Sequence, residues 1–159
     1  MGSYVLVVFV RRLAEGAVFE RSAWPLHATL LRFDTREGAG TVASRVGPAL
    51  AGVGSFAAEV GAEAGFGRDG GVPVSLLDPD SGLASLHGEL LEAFVGHATL
   101  PGAQHTRSGY RPHVSHTAGR PRRGDRLLVD HVALIDMRPD GDPSRRRVAA
   151  VWPLVPAGT

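Results

Sequence analysis

The sequence predicts an α+β fold of two pseudo-symmetric lobes of antiparallel sheet with flanking helices, in which two related strands line a central cleft. Three observations point there. Most apolar segments alternate with a period of two or run apolar over a short span, as strands do, whereas only residues 35–50 and about 80–95 carry apolar positions at helical spacing. The resulting order is strand, strand, helix, two strands, helix, then strands, which lacks the strict alternation of dinucleotide-binding folds. Finally, His27-Ala28-Thr29 returns 86 residues later as His113-Val114-Ser115, with similar elements between, so each copy belongs to one half of a pseudo-repeat. A chain of 159 residues is most simply one domain of two intertwined lobes, covering residues 1–159.

Residues 3–10 are β-branched and aromatic, the composition of an interior strand. Residues 13–23 show no periodicity and read as a loop, and Trp24 to Phe33 resumes as a strand. On that strand Leu26, Ala28 and Leu30 share the face expected to be buried, while His27, Thr29 and Leu31 share the other. From Thr35 to Leu50 the apolar residues recur at helical spacing, and Gly52 supplies the stop. Segments 55–66 and 72–77 are expected to pair as antiparallel strands across the Arg68-Asp69-Gly70-Gly71 turn. Asp80 or Ser81 is positioned to cap a second helix through Leu83, Leu86, Leu90, Leu91 and Phe94, ended by Gly96. Gly109 to Thr117 reads as the second motif strand, followed by an Arg, Gly and Pro turn over 118–125. Leu127 to Met137 alternates without interruption and is expected as one strand; Asp140 to Asp142 turn the chain into a last strand over 147–154.

Composition excludes several kinds of chemistry. With no cysteine there is no disulfide framework, thiol nucleophile or thiolate metal site. All 17 basic residues are arginine, so neither a Schiff-base lysine nor a phosphate loop ending in lysine is available. The net charge of +1 is unevenly spread: residues 1–106 hold 7 Arg and 11 acids, residues 107–159 hold 10 Arg and 5 acids. The C-terminal third is therefore the favoured face for an anionic partner, against the plainer reading of solvated arginines. The opening apolar run is too short to span a bilayer and has no charged leader before it, so a cytoplasmic protein with no membrane partner is expected.

The histidine motifs carry the chemistry. On a strand, residues two apart lie on one face about 6.6 to 6.8 Å apart, close enough for an imidazole and a hydroxyl to lean onto one phosphate-sized group. A third occurrence, His97-Ala98-Thr99-Leu100, falls between Gly96 and Pro101-Gly102, which leaves room for a loop and not a strand. His113 and His116 are three apart and face opposite ways on a strand, with no carboxylate at ligand spacing, so no metal and no cofactor is called for. By the same alternation His116 faces the core. His87, His105 and His131 read as surface or internally satisfied histidines.

With these tetrapeptides in view the chain resembles the 2H phosphoesterase superfamily, in particular its bacterial 2′-5′ RNA ligase-like and cyclic phosphodiesterase members, which carry one His-x-Thr/Ser motif in each lobe. His27-Ala28-Thr29-Leu30 fits that pattern, and Arg111-Pro112-His113-Val114-Ser115 fits it with proline before the second histidine. The resemblance implies metal-independent attack on a phosphodiester or cyclic phosphate of an RNA end or related nucleotide. His27 and His113 are then the catalytic acid–base pair, and Thr29 and Ser115 bind the phosphate. The residues independently suit that role, since imidazole can give or take a proton near neutral pH. Arg111, two before His113, is placed to add charge to the phosphate, and Tyr110, or a tryptophan, to stack on a base. Their alternatives are a rim ion pair and a core edge. Arg120, Arg122, Arg123 and Arg126 read as a solvated loop. A noncatalytic module of the same fold that binds RNA or a nucleotide stays open beside the enzyme.

Overall fold

The computed structural model describes residues 1–156; the domain expected from sequence runs to 159, and residues 157–159 lie outside the described residues. Among the described residues nine strands form one continuous sheet, β1 Gly2–Phe9, β2 Val18–Glu20, β3 His27–Thr35, β4 Phe56–Phe66, β5 Val72–Leu77, β6 His113–Ser115, β7 Arg126–Val129, β8 His131–Asp136 and β9 Arg145–Pro153. Their order is β2-β9-β8-β1-β3-β6-β5-β4-β7 and each named pairing is antiparallel. The α+β class is as expected, and the two lobes are the halves β2-β9-β8-β1-β3 and β6-β5-β4-β7 of that sheet. They meet at β3 and β6, whose pairing consists of Ala28 opposite Val114.

Both helices, α1 Ala39–Leu50 and α2 Leu83–Phe94, cover one face of the sheet. Val42, Val46 and Leu50 of α1 recur every fourth residue and are buried, as are Leu83, Leu86, Leu90, Leu91 and Phe94 of α2. They pack on Tyr4, Leu6, Val8, Ala28 and Phe33 of one half and on Ala58, Val60, Leu77 and Val114 of the other, so a single core spans the junction. The opposite face carries a smaller cluster, Val5, Val7, Phe9, Ala133, Ile135 and Val148, roofed by Leu13, Phe19 and Trp24 from the excursion between β1 and β3. Burial on both sides is why β1 is a nearly continuous apolar run.

Several expectations need correction. Within 13–23, read as loop, Val18–Glu20 pairs with β9; with only Phe19 turned inward, so short an edge strand leaves no periodic trace. Trp24 to Leu26 precede the strand, and α1 begins at Ala39 because Thr35 still belongs to β3. Gly82, not Asp80 or Ser81, occupies the cap position of α2, although the Ser81 hydroxyl accepts a bond from the Leu83 N–H at 3.4 Å. The second motif strand is only His113–Ser115, since Arg107–Gly109 form a 3-10 turn and Pro112 lacks the ladder donor.

Two corrections matter for the site. In β3, Leu6 opposes Leu31 and Val7 opposes Thr29, leaving Leu30 unpaired in a bulge. The bulge turns Leu31 to the helix side with Leu6, so Leu31 does not share the face of His27 and Thr29. Likewise 127–137 is two strands: β7 pairs with β4 in one half and β8 with β1 and β9 in the other, with Asp130 at the crossing. No helix among the described residues is long and apolar enough to cross a membrane.

Candidate active site

The junction of the two halves assembles the motif residues. With Ala28 opposite Val114 in an antiparallel pair, His27 comes beside Ser115 and Thr29 beside His113. Ala28 and Val114 turn into the helix-side core, at 0% and 1% exposure, so all four polar side chains emerge together on the other face. Each is partly buried, and among the described residues neither hydroxyl has a side-chain hydrogen-bond partner.

The two imidazoles are held alike. His27 Nδ1 donates to the Pro25 carbonyl at 2.8 Å and His113 Nδ1 to the Arg111 carbonyl at 2.7 Å. A carbonyl only accepts, so Nδ1 carries the hydrogen in both rings and Nε2 is the nitrogen left for chemistry. Burial pushes the His27 pKa down, the Pro25 contact opposes this, and the charge of His113 lowers it further. His113 is lowered first by burial, with the Arg111 carbonyl opposing and the Arg111 charge reinforcing. The charge of His113 is felt at His27, so the two rings lie within electrostatic reach of one another.

Aromatic rings fix the imidazoles from outside. Trp24 lies 4.4 Å from the His27 ring and Phe9 6.3 Å from it, while Phe66 lies 4.5 Å from His113. The Thr117 hydroxyl donates to the Trp24 carbonyl at 2.8 Å, tying the tail of the second motif to the lead of the first. Arg111 is exposed just before β6, with its guanidinium 4.7 Å above the Phe66 ring; no carboxylate among the described residues pairs with it. Phe66, on the hairpin between β4 and β5, was not singled out in the sequence, and a lone aromatic at a strand end carries no signal of its neighbours.

Beside Thr29 and His113 opens a cleft of about 620 Å³, bounded by Phe66, Arg32, Arg111, Gln104 and Tyr110. Tyr110 reaches it, but its hydroxyl donates to the Thr29 carbonyl at 2.8 Å and its ring stacks on His87 at 4.2 Å. Burial pushes its phenol pKa well up. Tyr110 thus positions the first motif as well as lining the cleft. His87 is satisfied internally, donating from Nδ1 to the Leu30 carbonyl at 2.6 Å and accepting the Arg107 N–H at 3.1 Å. His131, 1% exposed, likewise donates to Asp130 at 2.7 Å and accepts the Phe9 N–H at 3.2 Å. His105 is exposed and lines the cleft, which its sequence context did not indicate.

The remaining candidates lie elsewhere. His97 sits where Thr99 bridges Asp34, at the far end of β3 from His27, on a loop as expected. His116 turns to the helix side, with Nε2 2.8 Å from the buried Ser75 hydroxyl. Arg120 pairs with Glu63 at 3.3 Å on the surface.

Residues 6–140 match the profile of the 2′-5′ RNA ligase superfamily. No curated protein matches the sequence significantly. Similar solved structures include these three. A phosphoesterase is 15% identical with a TM-score of 0.61, over 98% of this chain and 99% of its own. The protein TT0787 of Thermus thermophilus is 19% identical with a TM-score of 0.62, over 98% and 99%. LigT of E. coli, complexed with 3′-AMP, is 15% identical with a TM-score of 0.61, over 97% and 98%. At such identities the likeness is one of fold.

Proposed function

The chain belongs to the 2′-5′ RNA ligase superfamily, a group of phosphoesterases and ligases, and from that premise we propose that it is a metal-independent phosphoesterase acting on RNA ends, 2′,3′-cyclic phosphates or related nucleotides. The observation that carries this reading is the antiparallel register at Ala28 and Val114, which gathers two imidazoles and two hydroxyls on one face. The nucleotide in the LigT complex is a further support for the substrate class.

On a 2′,3′-cyclic phosphate the reaction adds one water. The neutral Nε2 of one histidine takes a proton as the water oxygen bonds to phosphorus. The protonated Nε2 of the other gives a proton to the ribose oxygen whose bond to phosphorus breaks. Because Nδ1–H stays on its backbone carbonyl in either state, the proton cycles at Nε2 without reorienting the ring. Thr29 and Ser115 donate to the nonbridging oxygens, and Arg111 adds positive charge beside them. With the 5′-hydroxyl of a second strand in place of water, the same two proton transfers join ends: the base takes that hydroxyl's proton as its oxygen bonds to phosphorus, and the acid protonates the departing ribose oxygen.

The test is hydrolysis of uridine 2′,3′-cyclic phosphate in EDTA. His27→Ala and His113→Ala are each expected to lose about 10²-fold or more in kcat. Thr29→Ala and Ser115→Ala each remove a hydrogen bond to a charged group, about 1.5 to 3 kcal/mol, and are expected to lose roughly tenfold to a hundredfold. A histidine variant that keeps natural activity removes the acid–base pair. A second reading, a noncatalytic module that binds RNA or a nucleotide, is favoured by the downward pKa shifts of both histidines, which thin out the acid form at neutral pH. Salt-dependent RNA binding with no turnover selects it.

A further inference from the structure

One buried cation in the arginine-rich C-terminal third, Arg146, meets no carboxylate among the described residues. Arg145 and Arg147, its neighbours on β9, face carboxylates: Arg145 meets Glu20 at 3.7 Å and Asp142 at 4.0 Å, and Arg147 meets Asp140 at 2.7 Å. Arg146 turns to the opposite face with Val148, the face on which the motif residues emerge. It is 9% exposed, and no carboxylate among the described residues meets it. Its Nη1 is engaged three times, by the carbonyls of Met137 at 2.8 Å, Pro143 at 2.9 Å and Arg145 at 3.0 Å. Its Nε is buried with no hydrogen-bond partner among the described residues. The Nε and Nη2 side of a guanidinium is the edge that grips two oxygens of a phosphate at once, and here that edge is the unused one.

The surroundings add positive charge. Burial pushes the Arg146 pKa down, and the charges of Arg21 and Arg32 push it further. Both of these are exposed, and neither pairs with a carboxylate among the described residues. A buried guanidinium short of a hydrogen-bond partner and flanked by two like charges is costly in an empty site and favourable around an anion. The location is informative too. The Arg146 guanidinium lies 5.9 Å from the Trp24 ring, and the Trp24 ring lies 4.4 Å from His27.

We propose that Arg146, Arg21 and Arg32 form a second anion subsite, one indole away from His27, that takes the next phosphate of an oligonucleotide whose end sits at the histidine pair. The substrate class narrows accordingly from nucleotides in general to a chain end with at least one further phosphodiester. This rests on the phosphoesterase reading above. Trp24, between the two anion positions, is placed to meet the intervening nucleoside.

The test compares three ligands: a nucleoside 2′,3′-cyclic phosphate, a dinucleotide ending in the same cyclic phosphate, and that dinucleotide with a neutral methylphosphonate linkage. Turnover is measured as kcat/KM. Affinity is measured in parallel by titration with the corresponding 3′-phosphate products, which needs no catalysis. The dinucleotide is expected to exceed the mononucleotide by about tenfold or more in both readouts, a gain of one charge-assisted contact. The neutral linkage, Arg21→Ala and Arg146→Met are each expected to shrink that ratio toward one; Arg21, being exposed, keeps the test valid if Arg146→Met fails to fold. A ratio near one in the natural protein, or one that survives both the neutral linkage and Arg21→Ala, overturns the subsite. Equal turnover of mononucleotide and dinucleotide does so while leaving the phosphoesterase reading intact. A tenfold binding ratio that Arg21→Ala abolishes, without turnover of either substrate, keeps the subsite and removes the catalytic reading.

Discussion

At the scale of the residue, the two halves of the site differ in sequence but share one small device, an imidazole whose Nδ1–H is held by the carbonyl two residues earlier. Its consequence is a defined titration. Both histidines are pushed below their ordinary value, chiefly by burial, so the free protein near neutrality holds mostly neutral rings. The general acid is then the scarcer form, and kcat/KM for a cyclic phosphate is expected to peak on the acid side of the ordinary histidine value of about 6.5 and to fall as pH rises through it. The apparent constants belong to the coupled pair. A kcat/KM profile across about pH 5 to 8 checks this, and one still rising above neutrality contradicts it. These four residues were legible because a spacing of two on a strand has one geometric meaning. Arg146 was not, since nothing in the run Arg145-Arg146-Arg147 tells which guanidinium meets a carboxylate and which is buried without one.

At the scale of the element, position depends on irregularities that periodicity conceals. The bulge at Leu30 lets β3 present His27 and Thr29 to the site and still bury both Leu30 and Leu31, at 1% and 2% exposure. Alternation from Leu127 to Met137 hides a change of phase: Leu127 and Val129 face the helices in β7, whereas Val132 and Leu134 do so in β8. Because both faces of β8 are apolar, the flip at Asp130 leaves no polar residue out of place. The strands 56–66 and 72–77 were legible to within a residue, because their turn is glycine-rich and local. That hairpin carries Phe66 to the cleft, and it closes only because Gly65 has no side chain. A Cβ there would lie 2.2 Å from the Gly70 carbonyl oxygen. Gly65→Ala is therefore expected to cost about 1 to 3 kcal/mol and to weaken nucleotide binding by displacing Phe66. Thermal unfolding and a nucleotide titration of the same variant check both effects, and an unchanged melting temperature refutes the first.

At the scale of the whole molecule, three histidines are folded with depressed pKa values: His27, His113 and His131, each mainly through burial. Unfolding frees them to take protons at about 6.5. Their contribution is thus fully present above that value and is lost as pH falls through the folded values. The urea midpoint is expected to drop between about pH 7.5 and 5, a window that opens above the ordinary carboxylate range. A flat midpoint there refutes the attribution. The antiparallel α+β class and both helices were legible because they follow from local period; the union of two halves in one sheet was not, because it depends on a single non-local pair. That pair has a mechanical consequence. One rung of ladder joins the halves at the site, while the shared core fastens them along the helix side. The sheet behaves like a book whose binding is the core and whose open pages are the motif face. Opening it by a few degrees is expected to separate the imidazoles while leaving the ladders inside each half intact, and in the proposed reaction a phosphate held by both halves is the clasp.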